Sequence, residues 1–353
     1  MDHAVVLAGG SGTRFWPESR KHRSKQFLDL TGGGPMIRET LDRLRPIIPA
    51  ERLWIVAGRK DSPHLSPASL GIPKRNILLE PEGRNTAPAI ALAAAFIARL
   101  DPEAVILAAP ADHAIRNVRA FRAVIRKGLR LARDSGRFVT LGVPPTHAST
   151  GYGYIERGKP FPGKVRGAFT VARFAEKPDL ATARRFLRSG RFDWNSGVFL
   201  FRAGTFMDRL ARFLPEVDRR IRETVRGGER GFERRLREAY RRLPSISVDY
   251  GILEKERGIL TLPADVGWSD LGTWRSLHEF LDSAGGNVTF GDVILTDCRN
   301  TLVRTDGGLV AVLGLEDTVV IRSGNAVLVC PRSRSEDVKG MVEEVRRRYP
   351  ALV

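Results

Sequence analysis

The sequence predicts an α/β protein: a mixed, mostly parallel sheet with helices between its strands, then a smaller C-terminal β region closed by a helix. Three observations lead there. In the first half, short apolar runs alternate with longer segments whose apolar residues recur at helical spacing, the pattern of βαβ units. The first run ends in a turn almost without side chains, Gly9-Gly10-Ser11-Gly12-Thr13. At Ser283-Ala284-Gly285-Gly286 the pattern changes to closely spaced short strands. A length of 353 residues suits two domains.

In order, strands are expected at residues 4–8, 53–57 (LWIVA), 77–79, 104–108 (AVILA) and 138–141, with helices at 36–44, 86–100 and 118–135. Ligands in parallel sheets bind beyond the carboxyl ends of the strands. The glycine turn, Glu80 onward and residues 110–113 all follow strands, so they are expected to converge on one crevice. From 150 to 281 glycines and aromatic residues interrupt the pattern, and helices are expected at 180–189, 205–214 and 232–243. Beyond 286, apolar runs at 288–295, 301–303, 309–313, 318–321 and 326–329 alternate with Asn, Asp and Gly turns, which suits stacked coils, a small sandwich or a meander. Ser333-Arg334-Ser335-Glu336 has the form of a capping box. Val338, Met341, Val342 and Val345 follow at helical spacing, and three arginines at 346–348 suit the negative end of that helix.

Composition excludes several classes. Hydrophobic content of 42% and charged content of 28% describe a globular protein. No apolar run approaches the ~20 residues that span a bilayer. Strand residues begin by Ala4, leaving no room for a signal peptide, so a cytoplasmic protein without membrane partners is expected. Cys298 and Cys330 form no CxxC pair and read as two small buried hydrophobes, not as a disulfide or zinc site. A net charge of +18 raises the question of nucleic acid. The arginines are scattered, however, in pairs such as Arg184-Arg185, Arg219-Arg220 and Arg234-Arg235 along helical segments, with no RNA-binding aromatic motif. They read as solvated faces, so no specific nucleic-acid binding is expected, and anionic substrates suit the balance equally well.

The glycine turn carries the first chemistry. Glycine brings backbone close to a ligand, and successive N–H groups in such a turn can hold phosphate oxygens. Arg14, Lys21, Arg23 and Lys25 follow within a few residues, so the stretch suits a polyphosphate. It is neither a P-loop nor a Rossmann fingerprint, because the lysine of the one and the third glycine of the other are missing. Asp112, in Pro110-Ala111-Asp112-His113, stands at a strand tip where Mg²⁺ could bind with substrate phosphates; a turn aspartate is the plainer alternative. In Glu80-Pro81-Glu82-Gly83-Arg84-Asn85-Thr86-Ala87-Pro88, Asn85 or Thr86 can cap a helix with Pro88 in its first turn. Glu80 could also accept from the N1–H and N2–H₂ donors of guanine. Gly151-Tyr152-Gly153-Tyr154 reads as a bulge or as backbone set against a sugar. Glu176-Lys177-Pro178 offers an acceptor for hydroxyls and a cation for a phosphate, and Trp194-Asn195-Ser196-Gly197 adds an amide. Asp249, in Val248-Asp249-Tyr250-Gly251, either caps a helical turn or contacts sugar hydroxyls.

Gly9-Gly10-Ser11-Gly12-Thr13-Arg14, Trp16-Pro17 and Ser24-Lys25-Gln26-Phe27 together resemble the signature of the sugar-1-phosphate nucleotidylyltransferases, and among them most the mannose-1-phosphate guanylyltransferases. GRNTAPAI resembles the guanine-selecting stretch of those enzymes. Ser24 stands where the family usually has proline, and Ala175 where it usually has valine; both changes leave the charged residues in place. The resemblance spans nearly the whole chain and is strongest from 4 to 274. It implies a Rossmann-like, GT-A-like nucleotidyltransferase domain over residues 1–284 and a β-helix-like domain with a docking helix over 285–353, the latter mediating a homodimer. It implies Mg²⁺ on Asp112 and Asp270, the second carboxylate lying in Gly267-Trp268-Ser269-Asp270. It also implies nucleotide contacts from Leu7, Gly9, Gly10, Ser11, Gly12, Thr13, Glu80, Arg84, Asn85, Thr86 and Pro110, and sugar-phosphate contacts from Gly153, Glu176, Lys177, Asn195, Gly197 and Asp249.

The implied reaction is attack by mannose 1-phosphate on the α-phosphorus of GTP, giving GDP-mannose and pyrophosphate. Arg14 and Lys25 would hold the triphosphate and act as the catalytic pair. The same chemistry on a glucose or heptose 1-phosphate, or a catalytically silent regulator of the same fold, are the rival readings. Many relatives carry a further isomerase domain with metal-binding histidines; the six histidines here form no such cluster, and a monofunctional transferase is expected.

Overall fold

Residues 1–10, 12–282 and 286–353 are described by the computed structural model. In chain order they form β1 (Asp2–Ala8), α1 (Met36–Leu44), β2 (Leu53–Gly58), α2 (Pro67–Leu70), β3 (Ile77–Glu80), α3 (Thr86–Leu100), β4 (Val105–Pro110), β5 (Ala114–Ile115), α4 (Val118–Ser135) and β6 (Val139–Val143). There follow β7 (Tyr154–Pro160), β8 (Phe169–Ala175), α5 (Leu180–Ser189), β9 (Phe192–Arg202), α6 (Ala203–Phe213), α7 (Pro215–Arg226), α8 (Phe232–Tyr240), β10 (Leu260–Pro263), β11 (Trp268–Ser269) and α9 (Trp274–Leu281). The last elements are β12 (Val288–Phe290), β13 (Val293–Thr296), β14 (Leu302–Thr305), β15 (Val310–Leu313), β16 (Thr318–Ser323), β17 (Ala326–Pro331) and α10 (Val338–Arg348). The five strands expected before residue 150 are β1–β4 and β6, and the helices expected at 36–44, 86–100, 118–135 and 180–189 have those bounds.

By its contacts the chain divides into two units. The first comprises Met1–Gly9, Thr40–Ala111 and Ile115–Trp268; the second comprises Gly10–Glu39, Asp112–Ala114 and Ser269–Val353. The boundary expected at 284/285 falls among residues 283–285, outside the described residues.

The first unit is built on a nine-stranded sheet of order β3-β2-β1-β4-β9-β6-β10-β8-β7. β3, β2, β1 and β4 are parallel neighbours, so their carboxyl ends, at Glu80, Gly58, Ala8 and Pro110, share one edge. β6 and β10 run the same way, while β9 lies antiparallel between β4 and β6 and β8 lies antiparallel to β10. β7 pairs with both β8 and β9, so β9, β6, β10, β8 and β7 close into a ring of pairings. The strands that this sheet takes from beyond residue 150 did not stand out in the sequence. β9 is buried along Val198-Phe199-Leu200-Phe201, a continuous apolar run with no period-2 alternation to mark it. Alanines make up much of the buried α3, and their small side chains let it lie close to the sheet and to α6 and α7. α7 was also hidden: Leu214 interrupts the helical run after α6, and Pro215 opens a new helix at once. α8 stops at Tyr240, short of the expected 243.

In the second unit β12, β14 and β16 stack in parallel, β17 closes that wall antiparallel, and β13 and β15 form a second parallel pair. The register Val288–Leu302–Val319 shows successive coils returning to the same place, which makes this a short β-helix and excludes the sandwich and the meander. Val303, Val312 and Val320 pack together within it. A second cluster joins Leu302, Val319 and Ile321 to Phe15, Trp16, Leu28, Trp274 and the Val338 and Val342 face of α10. Two expectations are corrected here. The capping box does not form: residues 332–334 make a 3₁₀ turn, the helix begins only at Val338 with Asp337 as an N-cap that makes no side-chain bond, and Met341 lies exposed. Cys298 and Cys330 form no disulfide but are only half-buried, because Cys298 lies in the turn between β13 and β14 and Cys330 on the edge strand β17.

Candidate active site

Two groups of motif residues form within the two units. In the second, the glycine turn leads into a single 3₁₀ turn, Thr13–Phe15, with Arg14 exposed on it. Gly12 has φ 61°, and a Cβ there would strike the Lys25 backbone and Cβ, so only glycine fits. Ser19 Oγ donates to Gly12 O at 2.8 Å and holds the turn from the other side. Ser11 lies outside the described residues.

Lys25 is 5% exposed. Its Nζ donates to Asp112 Oδ2 at 2.8 Å, Asp112 O at 3.0 Å and Asp270 O at 2.5 Å. An ammonium has three donors, and all three are used. Lys25 therefore gathers Asp112 and Asp270, which the sequence paired only through a family resemblance. For Lys25 to hold a triphosphate, as the sequence suggested, one of these bonds has to be exchanged. Burial alone would raise the Asp112 carboxyl, but Lys25 and His113 outweigh it and keep the group below its ordinary value. Asp270 Oδ1 accepts from Gly272 N at 3.0 Å, and the next residue, Leu271, has φ 43°.

These donors suit a small divalent cation. They are hard oxygens, and one carboxylate is held ionised. Among the described residues no three His, Cys, Asp or Glu side chains gather to hold a metal, so other oxygens have to complete the shell.

In the first unit five motifs meet. Asn195 is on the antiparallel β9, and its register opposite Gly142 puts it at the carboxyl end of β6. Its Nδ2 donates to Asp249 Oδ1 at 2.9 Å, while its Oδ1 accepts from Gly197 N at 3.2 Å, so both ends of the amide are held. Asn195 N donates to Gly153 O at 2.8 Å. A Cβ on Gly153 would run into Glu176 Oε2, which makes the glycine a space for that carboxylate. Glu176 pairs with Lys177 at 2.9 Å, and Lys177 sits at φ 45°, a conformation that residues other than glycine rarely adopt. Thr86 Oγ1 accepts from Val248 N at 2.9 Å, and Ala87 N donates to Ile246 O, so the segment leading to Asp249 is tied to the start of α3. Asn85, not Thr86, is the N-cap; its Oδ1 accepts from Thr86 N, and Arg84 pairs with Glu82.

Charge in this cluster is unbalanced by burial. Asp249 is lifted to about 6, first by burial and then by the neighbouring Glu176, with Asn195 and Lys177 acting the other way. Glu80, 6% exposed at the end of β3, is lifted to about 7 by burial, and Tyr240 beside it offsets part of that. Its Oε1 is buried without a hydrogen bond. Tyr240 was not singled out in the sequence, where it looked like one more apolar position of α8. The arginines of α7 pair with carboxylates on their own helix: Arg219 and Arg220 with Glu216, and Arg222 with Asp218. Among the described residues no helix is long and apolar enough to cross a membrane.

A glycine turn beside two aspartates in one unit, and a cluster of acidic, amide and lysine side chains around a mixed sheet in the other, fit a protein that handles nucleotides and sugar phosphates, and comparison with known proteins gives the family. Residues 3–284 match the nucleotidyl transferase family model, and residues 291–345 match the MannoseP isomerase/GMP-like beta-helix domain. The chain is 41% identical to the mannose-1-phosphate guanylyltransferase ManC of Salmonella typhimurium, over 98% of this chain and 73% of that one. It is also 41% identical to the xanthan biosynthesis protein XanB of Xanthomonas campestris, over 97% of this chain and 73% of that one. A crystal structure from Thermus thermophilus, described as a mannose-1-phosphate geranyltransferase, superposes with a TM-score of 0.90 at 35% identity, covering 98% of this chain and 99% of that one. The chain belongs to the nucleotidyl transferase family, in the group of the mannose-1-phosphate guanylyltransferases. This family works with a divalent metal.

Glu80 makes stability depend on pH. Its carboxyl titrates at 4.5 when unfolded and about 7 when folded, so between these values the folded state keeps a proton that the unfolded chain has lost. Stability is therefore lost as pH rises through this window, and the cost is complete above it. In urea unfolding, Glu80→Gln is expected to gain on the wild type by about 1–3 kcal/mol between pH 5 and pH 8. An equal difference at both pH values contradicts the buried carboxylate.

Proposed function

We propose that the chain transfers GMP from GTP to α-D-mannose 1-phosphate, giving GDP-mannose and pyrophosphate. The observation that carries the proposal is the bonding of one buried ammonium, on Lys25, to both Asp112 and Asp270. An oxygen of the sugar phosphate attacks the α-phosphorus in line, the bond from that phosphorus to the bridging oxygen breaks, and pyrophosphate leaves with the electron pair. No protein nucleophile is needed, because the incoming phosphate is already an anion. The residues align two anions and neutralise their charge.

In the second unit, Gly10, Ser11, Gly12 and Thr13 cradle the nucleotide phosphates, and the exposed Arg14 holds the departing pyrophosphate. Asp112 and Asp270 hold the metal, for which we propose Mg²⁺; when bound, it offsets phosphate charge at the reacting phosphorus. Lys25 keeps these two residues together. In the first unit, Leu7, Gly9 and Pro110 stand at the strand ends on the nucleotide side. Glu80 accepts from the guanine N1–H and N2–H₂, its buried Oε1 being an acceptor in want of a donor, and Arg84, Asn85 and Thr86 complete the base side. Glu176, Asn195 and Asp249, with the backbone of Gly153 and Gly197, take the sugar hydroxyls, and Lys177 takes the sugar phosphate. We further propose a catalytic domain over 1–284, a C-terminal domain over 285–353, and a cytoplasmic homodimer formed through the β-helix, whose Ile294, Leu309, Leu313, Val327 and Val329 are exposed.

The first test is pyrophosphate release with GTP, ATP, UTP or dTTP against mannose, glucose or heptose 1-phosphate. A single strong signal for GTP with mannose 1-phosphate is expected. Strong signal for another pair keeps the chemistry and moves the base or sugar assignment, and silence from folded protein favours the regulator. Arg14→Ala is expected to lower turnover about 10²–10³-fold while leaving the melting temperature unchanged, since the residue is exposed. Gly153→Ala, which displaces the Glu176 carboxylate, is expected to raise KM for the sugar phosphate about tenfold and leave KM for GTP in place. Wild-type kinetics in either variant removes that residue from the proposed site.

A further inference from the structure

Arg304 lies on β14 of the β-helix and is 8% exposed. Its Nε donates to Glu18 Oε1 at 2.8 Å and its Nη2 meets Glu18 Oε2 at 3.3 Å. Nη2 also donates to Asp29 O at 2.8 Å, and Nη1 donates to Leu30 O at 3.1 Å. The guanidinium stands over the Phe290 ring, 4.3 Å from its centroid. A buried charge is tolerated only when it is paired and hydrogen-bonded, so this fork holds its partners strongly in place.

Those partners bracket Lys25. Glu18 precedes it and Asp29 and Leu30 follow it, so one side chain of the β-helix ties together both ends of the segment that carries the ammonium. Beside Glu18, Ser19 bonds Gly12 O, and Gly12 packs against Lys25. The same segment is held at Trp16, whose carbonyl accepts from Trp274 Nε1 at 3.0 Å and whose Nε1 donates to Leu352 O at 2.8 Å. The contacts run without a gap from Arg304 to the glycine turn, and through Lys25 to Asp112 and Asp270.

We propose that Arg304 is a positioning residue for nucleotidyl transfer, setting the segment 18–30 so that the glycine turn and the Lys25–Asp112–Asp270 group take their geometry. This rests on the guanylyl-transfer reading above. The β-helix is thus part of the nucleotide site's support as well as a C-terminal appendage. Glu176, Asn195 and Asp249 have no place in this chain of contacts, so the effect falls on the nucleotide and spares the sugar phosphate.

The test uses the full-length chain with Arg304→Met, Arg304→Lys and Glu18→Gln. Steady-state kinetics vary GTP and mannose 1-phosphate separately, and calorimetric titration follows GTP binding without the sugar. Arg304→Met is expected to raise KM for GTP about 10- to 100-fold, to weaken GTP binding in the titration by a similar factor, and to leave KM for mannose 1-phosphate within about twofold. Arg304→Lys keeps a charge opposite Glu18 but loses the fork, and is expected to fall between wild type and Arg304→Met. Glu18→Gln is expected to behave like Arg304→Lys. Equal rises in both KM values, or GTP binding unchanged in the variants, overturn the proposal. Should Arg304→Met not fold, the two milder variants decide by the same criteria. A wild type that binds GTP without any transfer sinks the guanylyl-transfer reading; an active wild type whose variants keep the GTP KM sinks only the role of Arg304.

Discussion

A lysine ammonium taken out of water sets the terms for the second unit. Lys25 has almost no contact with solvent, and such a charge persists only where acceptors replace its hydration. Asp112 supplies its carboxylate and its carbonyl, and Asp270 supplies its carbonyl. The constraint works in both directions. The ammonium is stabilised by three oxygens, and two segments distant in sequence are brought to one point by it. Gly12 can approach that point only because it lacks a side chain, and Leu271 holds a positive φ to turn the chain beside it.

The same logic of crowding organises the first unit. Glu176, Asp249 and Asn195 lie together, half-buried, and Gly153 leaves the room that Glu176 fills. Asp249 holds its proton more firmly there, first because of burial and then because of the neighbouring Glu176 carboxylate. Lys177 offsets part of this charge from a backbone conformation unusual for a lysine. Such local strain is kept where the surroundings over-determine it. Asn85 and Lys177 hold positive φ here, and Leu271 does so in the other unit, each within or beside a motif.

Much of this was legible in advance. The first four strands, α1 and α3 were visible because each carries a clear period or a short apolar run bounded by turns; the four-residue α2 was too short to show a period. The short strands after residue 286 were visible as such, but not their arrangement, because period-2 runs look alike in a sandwich, a meander and a β-helix. β9 and α7 were missed for different reasons. β9 is buried along its apolar half and loses alternation; α7 begins one residue after α6 ends, so its signal merges with the preceding helix. The capping box at 333–336 matched in letters, yet Ser333 lies inside a 3₁₀ turn and the helix begins only at Val338.

By itself the sequence determined which residue types stand where: glycines for a close-approach turn, a carboxylate after the AVILA strand, the EKP and WNSG motifs, and the family they resemble. These are local properties, set by spacing and by the conformations that single residues allow. Only the tertiary structure decided what those residues do with one another. It showed Lys25, a phosphate-binding candidate in the sequence, to be a buried tie between two aspartates. It placed Asn195 on an antiparallel strand that brings it to Gly153, Glu176 and Asp249. It also showed that Arg304, unremarked in the chain, reaches Glu18 and Leu30. Pairings across such separations depend on burial and hydrogen-bond competition, which no short window of sequence records.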